Sequence, residues 1–184
     1  MNESAARMSV CVKSPSAWVK IVGRADYHFS EALKKLVHGL RQRDCSRFLL
    51  EFTDCNFMDS TFAGTLSRLG REFAQARNDN PAPSLSLVNA NQRVADTLDN
   101  LGVIHLFQLL KEGAPDDAEF QPVETGAGKP DRTQLNRVIL DAHCELVDIN
   151  PANFEKFKDV LQYLEEDLKK MEGESKTSGQ KSGA

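Results

Sequence analysis

The sequence predicts an α/β fold in which helices pack on a mixed β-sheet, followed by a C-terminal α-helical extension. Up to residue 110, short apolar runs suited to strands alternate with stretches whose apolar residues recur at helical spacing. The first two strand-like runs form a hairpin, so the sheet combines an antiparallel pair with parallel neighbours. Beyond residue 130 only helical patterns remain, which sets the extension apart from the α/β domain.

The hairpin and the first helix open the predicted α/β domain. Residues 8–13, "MSVCVK", and 17–22, "AWVKIV", are rich in β-branched and aromatic residues, and the "SPS" between them is turn chemistry. After Gly23 the pattern becomes helical, and Ser30 is placed to cap this helix. The apolar face of the helix is formed by Ala32, Leu33, Leu36, Val37 and Leu40.

Further strands and helices complete this domain, which is predicted to span residues 1–110. "RFLLEF", residues 47–52, and "LSLV", residues 85–88, are short apolar runs typical of strands buried on both faces. A helix is predicted from Thr61 to Arg77, and another in "NANQRVADTLDNLG", which Gly102 ends. The next stretch, "VIHLFQLL", begins with strand character. The face of the Thr61 helix consists of Phe62, Thr65, Leu66, Leu69 and Phe73.

A linker is predicted at residues 111–130, a pair of helices at 131–171 and a disordered tail at 172–184. The linker is rich in Gly, Pro, Asp and Glu, and the tail lacks the apolar residues needed to fold. Asn150 is placed to cap the second helix, with Pro151 as its first residue. The seam of this last helix consists of Phe154, Phe157, Leu161, Leu164, Leu168 and Met171. Such a seam has to be buried, either in a hairpin with the preceding helix, in a homodimer through residues 131–171, or on a partner.

The composition restricts the classes of partner. The 184 residues carry a formal net charge of -4, which argues against broad binding of nucleic acid or anionic membranes. The chain has no apolar run of about 20 residues and its start has no signal-peptide core, so we expect no membrane insertion and a cytoplasmic location. Its four cysteines are scattered, which predicts no metal site and no cofactor, and Cys55 is expected in the core.

No catalytic residue is predicted, and the sequence does not indicate an enzyme. Motifs for nucleotide cradling, for a nucleophile elbow and for a zinc hydrolase are missing from the sequence. His28, His38, His105 and His143 have no local partners in the sequence, and each is interpreted as an ordinary surface or core histidine.

One short stretch, "NFMDSTFAG" at residues 56–64, places an acid beside two hydroxyl residues at the start of a predicted helix. Asp59 or Ser60 at that junction can accept hydrogen bonds from the first helix amides, which stabilises a helix by about 1 kcal/mol. A helix N-terminus also suits a phosphate, because its amides are unpaired and it carries partial positive charge. The stretch is therefore compatible both with a simple cap and with a phosphorylation site.

Residues 8 to 110 resemble the STAS family, the sulfate-transporter and anti-sigma-factor-antagonist domain. The resemblance is carried by "WVKIVGRADYHFSEAL", by "RFLLEFTDCNFMDSTFAGTLSRLGREF" and by "SLSLVNANQRVADTLDNLGVIHLF". It implies a STAS-like mixed sheet and a non-enzymatic role in signal transduction and transcription regulation. It also implies phosphorylation at Ser60, with Thr61 as the secondary candidate, by a serine kinase that is itself an anti-sigma factor. The partner-binding residues implied by the resemblance are Asp26, Asp59, Ser60, Thr61, Phe62 and Gly64.

The sequence departs from the family pattern directly after the hydroxyl pair. Typical members have two glycines flanking an aliphatic residue, whereas this chain has Phe62-Ala63-Gly64 and keeps only the second glycine. We expect Phe62 to offer an apolar contact where glycine would give the chain flexibility. The resemblance also leaves an alternative function, a constitutive scaffold or a small subunit of a transport complex that is not phosphorylated.

Overall fold

The predicted alternation of strands and helices is present in the computed structural model, which describes residues 6–78, 82–111, 113–114, 118–125 and 131–178. Side chains are described for all of these except Arg77 and residues 173–178. The strands are β1 (Arg7–Lys13), β2 (Ser16–Ala25), β3 (Arg47–Glu51), β4 (Cys55–Met58), β5 (Ser84–Val88), β6 (Gln108–Leu110) and β7 (Gln121–Pro122). The α-helices are α1 (Tyr27–Arg41), α2 (Ser60–Gln75), α3 (Gln92–Asn100), α4 (Arg132–Ile149) and α5 (Phe154–Ser178).

The sheet is mixed, as predicted. Its order is β6-β5-β3-β2-β1-β7, and β4 pairs with β2 beyond the end of β3. β1 and β2 form the antiparallel hairpin, whereas β2, β3, β5 and β6 run parallel to one another. The ten residues of β2 pair first with β3, through Ser16 to Lys20, and then with β4, through Gly23 to Ala25. β2 therefore brings the end of β4 beside its own end.

The two faces of the sheet are covered by different parts of the chain. Phe48 and Leu50 point into the main core with residues of α1, α2 and α3, while Leu49 between them points to the other face. There Trp18 and Val88 pack against Leu110, Ala114, Ala118 and Phe120. The described part of the predicted linker thus covers the back of the sheet, and β7 pairs with β1 at its edge.

Several elements differ from the prediction. α1 begins at Tyr27 with Asp26 as its cap, and Ser30 is buried inside the helix. Residues 104–106 form a 3-10 turn, so strand β6 begins only at Gln108. β4 and β7 were not predicted, because β4 has two exposed residues in its middle and β7 consists of two residues. Neither strand has the alternation or the length that identifies a strand in sequence.

The extension folds back on the α/β domain: α4 packs along α2, and α5 packs on α4. Asn150 caps the 3-10 turn Pro151–Asn153, which leads directly into α5. α5 continues to Ser178, so residues 172–178 of the predicted tail are helical, because adding a residue to an existing helix needs no apolar contact. Residues 179–184 lie outside the described residues. Among the described helices, none is both long enough and apolar enough to cross a membrane.

Candidate functional site

Two helices begin side by side at one edge of the sheet. β2 and β4 are parallel and pair at Ala25 and Met58, which are their last residues. The next residue after each strand is an aspartate, Asp26 before α1 and Asp59 before α2. Each aspartate is the N-cap of the helix that follows it, so two helix N-termini and two carboxylates lie at this edge.

Asp59 joins the two helices. One carboxylate oxygen accepts a hydrogen bond from the Phe62 amide at 2.7 Å, and the other accepts one from the Tyr27 amide of α1 at 3.1 Å. Its own amide donates to the Ala25 carbonyl at 3.0 Å. Burial raises the pKa of Asp59, and the two amide hydrogen bonds oppose that rise. The sequence allowed either Asp59 or Ser60 as the N-cap of α2, and in the structure the N-cap is Asp59.

Ser60 is the first residue of α2, and its hydroxyl contacts the C-terminal extension. The Ser60 Oγ lies 2.9 Å from Nε2 of His143 on α4, and Nδ1 of that ring lies 2.8 Å from the Ile139 carbonyl oxygen. A carbonyl only accepts, so Nδ1 carries the ring proton in the neutral histidine and Nε2 accepts from the Ser60 hydroxyl. Burial lowers the pKa of His143, which favours this neutral form.

The His143 ring is confined between Ser60 and α5. Its centroid lies 4.5 Å from that of Phe157, edge to face, and the residue is only 5% exposed. Sequence interpretation missed this residue as part of the site. The available signal was its position on the apolar face of α4, four residues after Ile139 and three before Leu146.

Gly64 is the point where α4 lies closest to α2. A Cβ atom at Gly64 would overlap the Ala142 carbonyl oxygen and lie 2.7 Å from the Ala142 carbonyl carbon. α4 covers the face of α2 at Gly64, where the resemblance implies a partner contact. Only a glycine permits such an approach of two helix backbones.

Phe62 and Thr61, for which the resemblance implies a partner contact, are buried in this structure. Phe62 is 0% exposed and packs in the main core, and Thr61 is 5% exposed. Phe62 lies two positions after Ser60 on α2, so the two side chains point to nearly opposite sides of the helix. The side chain of Phe62 therefore points toward the sheet. Asp26, Asp59 and Ser60 are half-buried, and they are the predicted site residues that remain accessible.

Further side chains lie where β2 and β4 end and α1 begins, and we call Arg24, Asp26, His28 and Phe57 the Ser60 rim. The Arg24 guanidinium lies over the Phe57 ring at 4.0 Å, and its Nε is 3.8 Å from the Asp26 carboxylate. His28 Nδ1 lies 2.9 Å from Asp26 as well. Phe57 is 40% exposed, so the rim combines an apolar surface with charges of both signs.

Ionic and polar contacts fix the extension on either side of the Gly64 contact. Arg71 of α2 pairs with Glu145 of α4 through two N–O contacts of 2.9 Å, although burial raises the pKa of Glu145. At the other side, Asn153 donates from Nδ2 to the Leu101 carbonyl at 2.8 Å and to the Leu146 carbonyl at 3.0 Å. Lys156 donates to the Asn100 carbonyl at 2.6 Å. The corner between α4 and α5 thus holds the C-terminal end of α3.

The cysteines and acids form no further site in the part of the chain that the structure describes. Cys11, Cys45 and Cys55 are buried and Cys144 is exposed, and each of the four is a free thiol. The prediction that Cys55 lies in the core is confirmed. Within the described ranges, no group of three or more His, Cys, Asp or Glu side chains is arranged to hold a metal ion.

Comparisons with known proteins concern the α/β domain. The family model described as STAS domain matches residues 10–113. Among solved structures, the anti-sigma factor antagonist SpoIIAA in its unphosphorylated form is 18% identical, with a TM-score of 0.47, and the match covers 59% of this chain and 90% of that chain. The NMR structure of the protein TM1081 is 13% identical, with a TM-score of 0.48, covering 55% of this chain and 78% of that chain.

No curated protein sequence is significantly similar to the chain. The family match ends at residue 113, before α4 begins, so α4 and α5 lie outside it.

Proposed function

Because this chain belongs to the STAS domain family, we propose that it is a non-enzymatic signalling domain switched by phosphorylation at Ser60. In its unphosphorylated state it binds a protein partner through the Ser60 rim. The proposed partner is of the serine kinase and anti-sigma factor class, as the resemblance to antagonists of this family implies. The observation that carries the proposal is that Ser60 is half-buried at the start of α2, while the cap of that helix is Asp59.

The position of Ser60 explains why a phosphate there would act on a partner and would leave the start of α2 capped. Asp59 keeps the start of α2 capped whatever happens to the Ser60 hydroxyl. A phosphoserine adds about -1.5 to -2 charges, next to Asp59 and close to Asp26. A partner surface that accepts a neutral hydroxyl would meet repulsion and a desolvation cost from that charge.

Burial favours Ser60 over Thr61 as the acceptor. Thr61 is 5% exposed, whereas Ser60 is only half-buried. The Ser60 rim offers the partner an apolar contact in Phe57 and a cation in Arg24, which fits a surface with a carboxylate beside an apolar side chain.

The test combines phosphosite mapping by mass spectrometry, on protein from its native host, with capture of partners by the full chain. We expect phosphate on Ser60, normal capture by Ser60→Ala and a loss of capture of about 30- to 150-fold in affinity for Ser60→Asp, the effect of about 2 to 3 kcal/mol. Ser84→Asp is the matched control, because Ser84 is exposed at the start of β5, at the opposite end of the parallel strands.

Two results would contradict the proposal. They are a Ser60 that stays unmodified under all growth and stress conditions, and equal capture by Ser60→Ala and Ser60→Asp. Together they would favour the alternative function, a constitutive scaffold or a small subunit of a transport complex.

A further inference from the structure

We infer that the α4–α5 pair, which covers α2 of the same molecule, can detach from it. A phosphate on Ser60 releases the pair by breaking the hydrogen bond between Ser60 and His143. This inference rests on the proposed function, since it assigns to the same site a second effect inside the molecule. Phosphorylation would then close the Ser60 rim to one partner and open the face of α2 that α4 now covers.

The contact between Ser60 and His143 has no room for a phosphoryl group. The hydroxyl oxygen and Nε2 are at hydrogen-bond distance, 2.9 Å, and the phosphorus atom would be bonded to that same oxygen. If the phosphoserine side chain instead rotates toward solvent, Nε2 of the buried His143 loses its donor. Either outcome removes the hydrogen bond, and an unpartnered buried polar atom disfavours the docked state.

The His143 ring cannot make room by a small shift of its own. Phe157 of α5 packs against the ring from the other side, at 4.5 Å between centroids. The preceding residue, Ala142, has its backbone in contact with Gly64, so α4 cannot tilt further toward α2. A group added at Ser60 therefore pushes on α4 and α5 together.

Separation of α4 from α2 breaks contacts of two kinds. Arg71 and Glu145 form an ion pair whose members water can solvate after separation, whereas Leu146 has to leave the main core and Asn153 gives up its hydrogen bond to the Leu101 carbonyl. Asp59, which retains its hydrogen bonds to Phe62 and Tyr27, keeps α1 and α2 in place while α4 leaves. We expect the starts of α1 and α2 to stay in place when the extension is released, because the hydrogen bonds of Asp59 do not involve α4.

The experiment measures amide hydrogen exchange in the full chain with phosphoserine installed at position 60, compared with the unmodified chain. We expect exchange in residues 132–149 to become about tenfold faster or more, while β3 and β5 keep their protection. Unchanged protection of α4, or slower exchange that shows His143 clamping the phosphate, would overturn the inference.

A second variant separates the helices without touching Ser60. Gly64→Ala places a methyl group against the Ala142 backbone, whereas Gly39→Ala in α1 places one where nothing lies within 4 Å. We expect faster exchange in α4 for Gly64→Ala and an unchanged exchange rate in α4 for Gly39→Ala. If Gly64→Ala leaves α4 as protected as Gly39→Ala does, α4 is not detachable and the inference fails.

The inference and the proposed function fail in different measurements. Partner capture that responds to Ser60→Asp, with unchanged exchange in the phosphoserine chain, overturns the inference and leaves the proposed function standing. Faster exchange in α4 supports the inference even if mapping finds no phosphate on Ser60 in the native host, a result that counts against the proposed function alone.

Discussion

At the scale of single residues, Asp59 and Ser60 divide two tasks between them. Asp59 accepts hydrogen bonds from the Phe62 and Tyr27 amides, so it fixes the start of its own helix and of α1. Ser60 takes no part in that cap, and its hydroxyl is used for the hydrogen bond to His143. A change in Ser60 therefore acts on the extension and on a partner, and the start of α2 is unaffected.

His143 makes the stability of the protein depend on pH. Burial lowers the pKa of the folded-state ring below the 6.5 of an ordinary histidine. At pH values near and below 6.5, His143 therefore binds more protons in the unfolded chain than in the folded protein. The free energy of unfolding should then fall as the pH drops below about 6.5. Asp59 and Glu145 oppose this fall, because their folded-state pKa values are raised and protonation at low pH favours the folded state.

The prediction is tested by His143→Gln, which keeps a polar group at the ε position and removes the titration. Urea denaturation at pH 7.5 and at pH 5.5 should show a larger loss of stability on acidification for the wild type than for the variant. The carboxylates are common to both proteins, so their opposing contribution largely cancels in the comparison. Equal losses in the two proteins would show that His143 does not titrate differently on folding.

At the scale of elements, two glycines of the α/β domain explain where the extension docks. Gly64 lets the backbone of α4 touch α2, and Gly102, with a φ of 70°, turns the chain after α3 at a point where a Cβ atom would overlap the Asn150 amide. Phe62, which stands at the other glycine position of the family pattern, fills the main core. Gly64, the glycine that is kept, thus contacts α4, and Phe62, which replaces the other glycine, adds buried apolar volume.

Asn153 is predicted to be the polar residue on which the corner between α4 and α5 depends most. Its fully buried amide donates to the Leu101 and Leu146 carbonyls. Asn153→Ala should lower the free energy of unfolding by about 1 to 3 kcal/mol, because it removes two buried hydrogen bonds that each contribute about 0.5 to 1.5 kcal/mol. Asn100→Ala, an exposed position at the end of α3, is the control and should change little. Chemical denaturation of both variants gives the comparison, and similar losses would contradict the assignment.

At the scale of the whole molecule, the extension buries the middle of its own apolar seam, and we predict that the protein is a monomer. Leu164 and Leu168 of α5 are buried, and Leu146 of α4 joins the main core, whereas Phe154 at the start of the seam is 51% exposed. The homodimer through residues 131–171 would need this seam to be open. Light scattering after gel filtration should therefore give a mass near 20.5 kDa over a range of concentrations. A stable mass of twice that value would show that the seam is exchanged between two copies.

Local chemistry made most of the elements predictable. Apolar runs at residues 47–52 and 85–88, and helical spacing in α1, α2 and α4, act over a few neighbouring residues and can be recognised without the fold. The start of α1 was misplaced because Ser30 and Asp26 are both good capping residues, and only the pairing of β2 with β4 makes Asp26 the first residue after the strand. β7 exists only because β1 offers it an edge.

By itself, the sequence determined the α/β order, the helical pair of the extension and an acid–hydroxyl pair at the start of α2, since strand runs, helix periods and caps depend on residues within a few positions. Only the tertiary structure decided that Ser60 meets His143, 83 residues away, and that Gly64 lies under Ala142. The physical reason is that these contacts depend on where α4 crosses α2. That position follows from the packing of Leu146 in the core and from the hydrogen bond of Asn153 to the Leu101 carbonyl at the end of α3, which no local pattern contains.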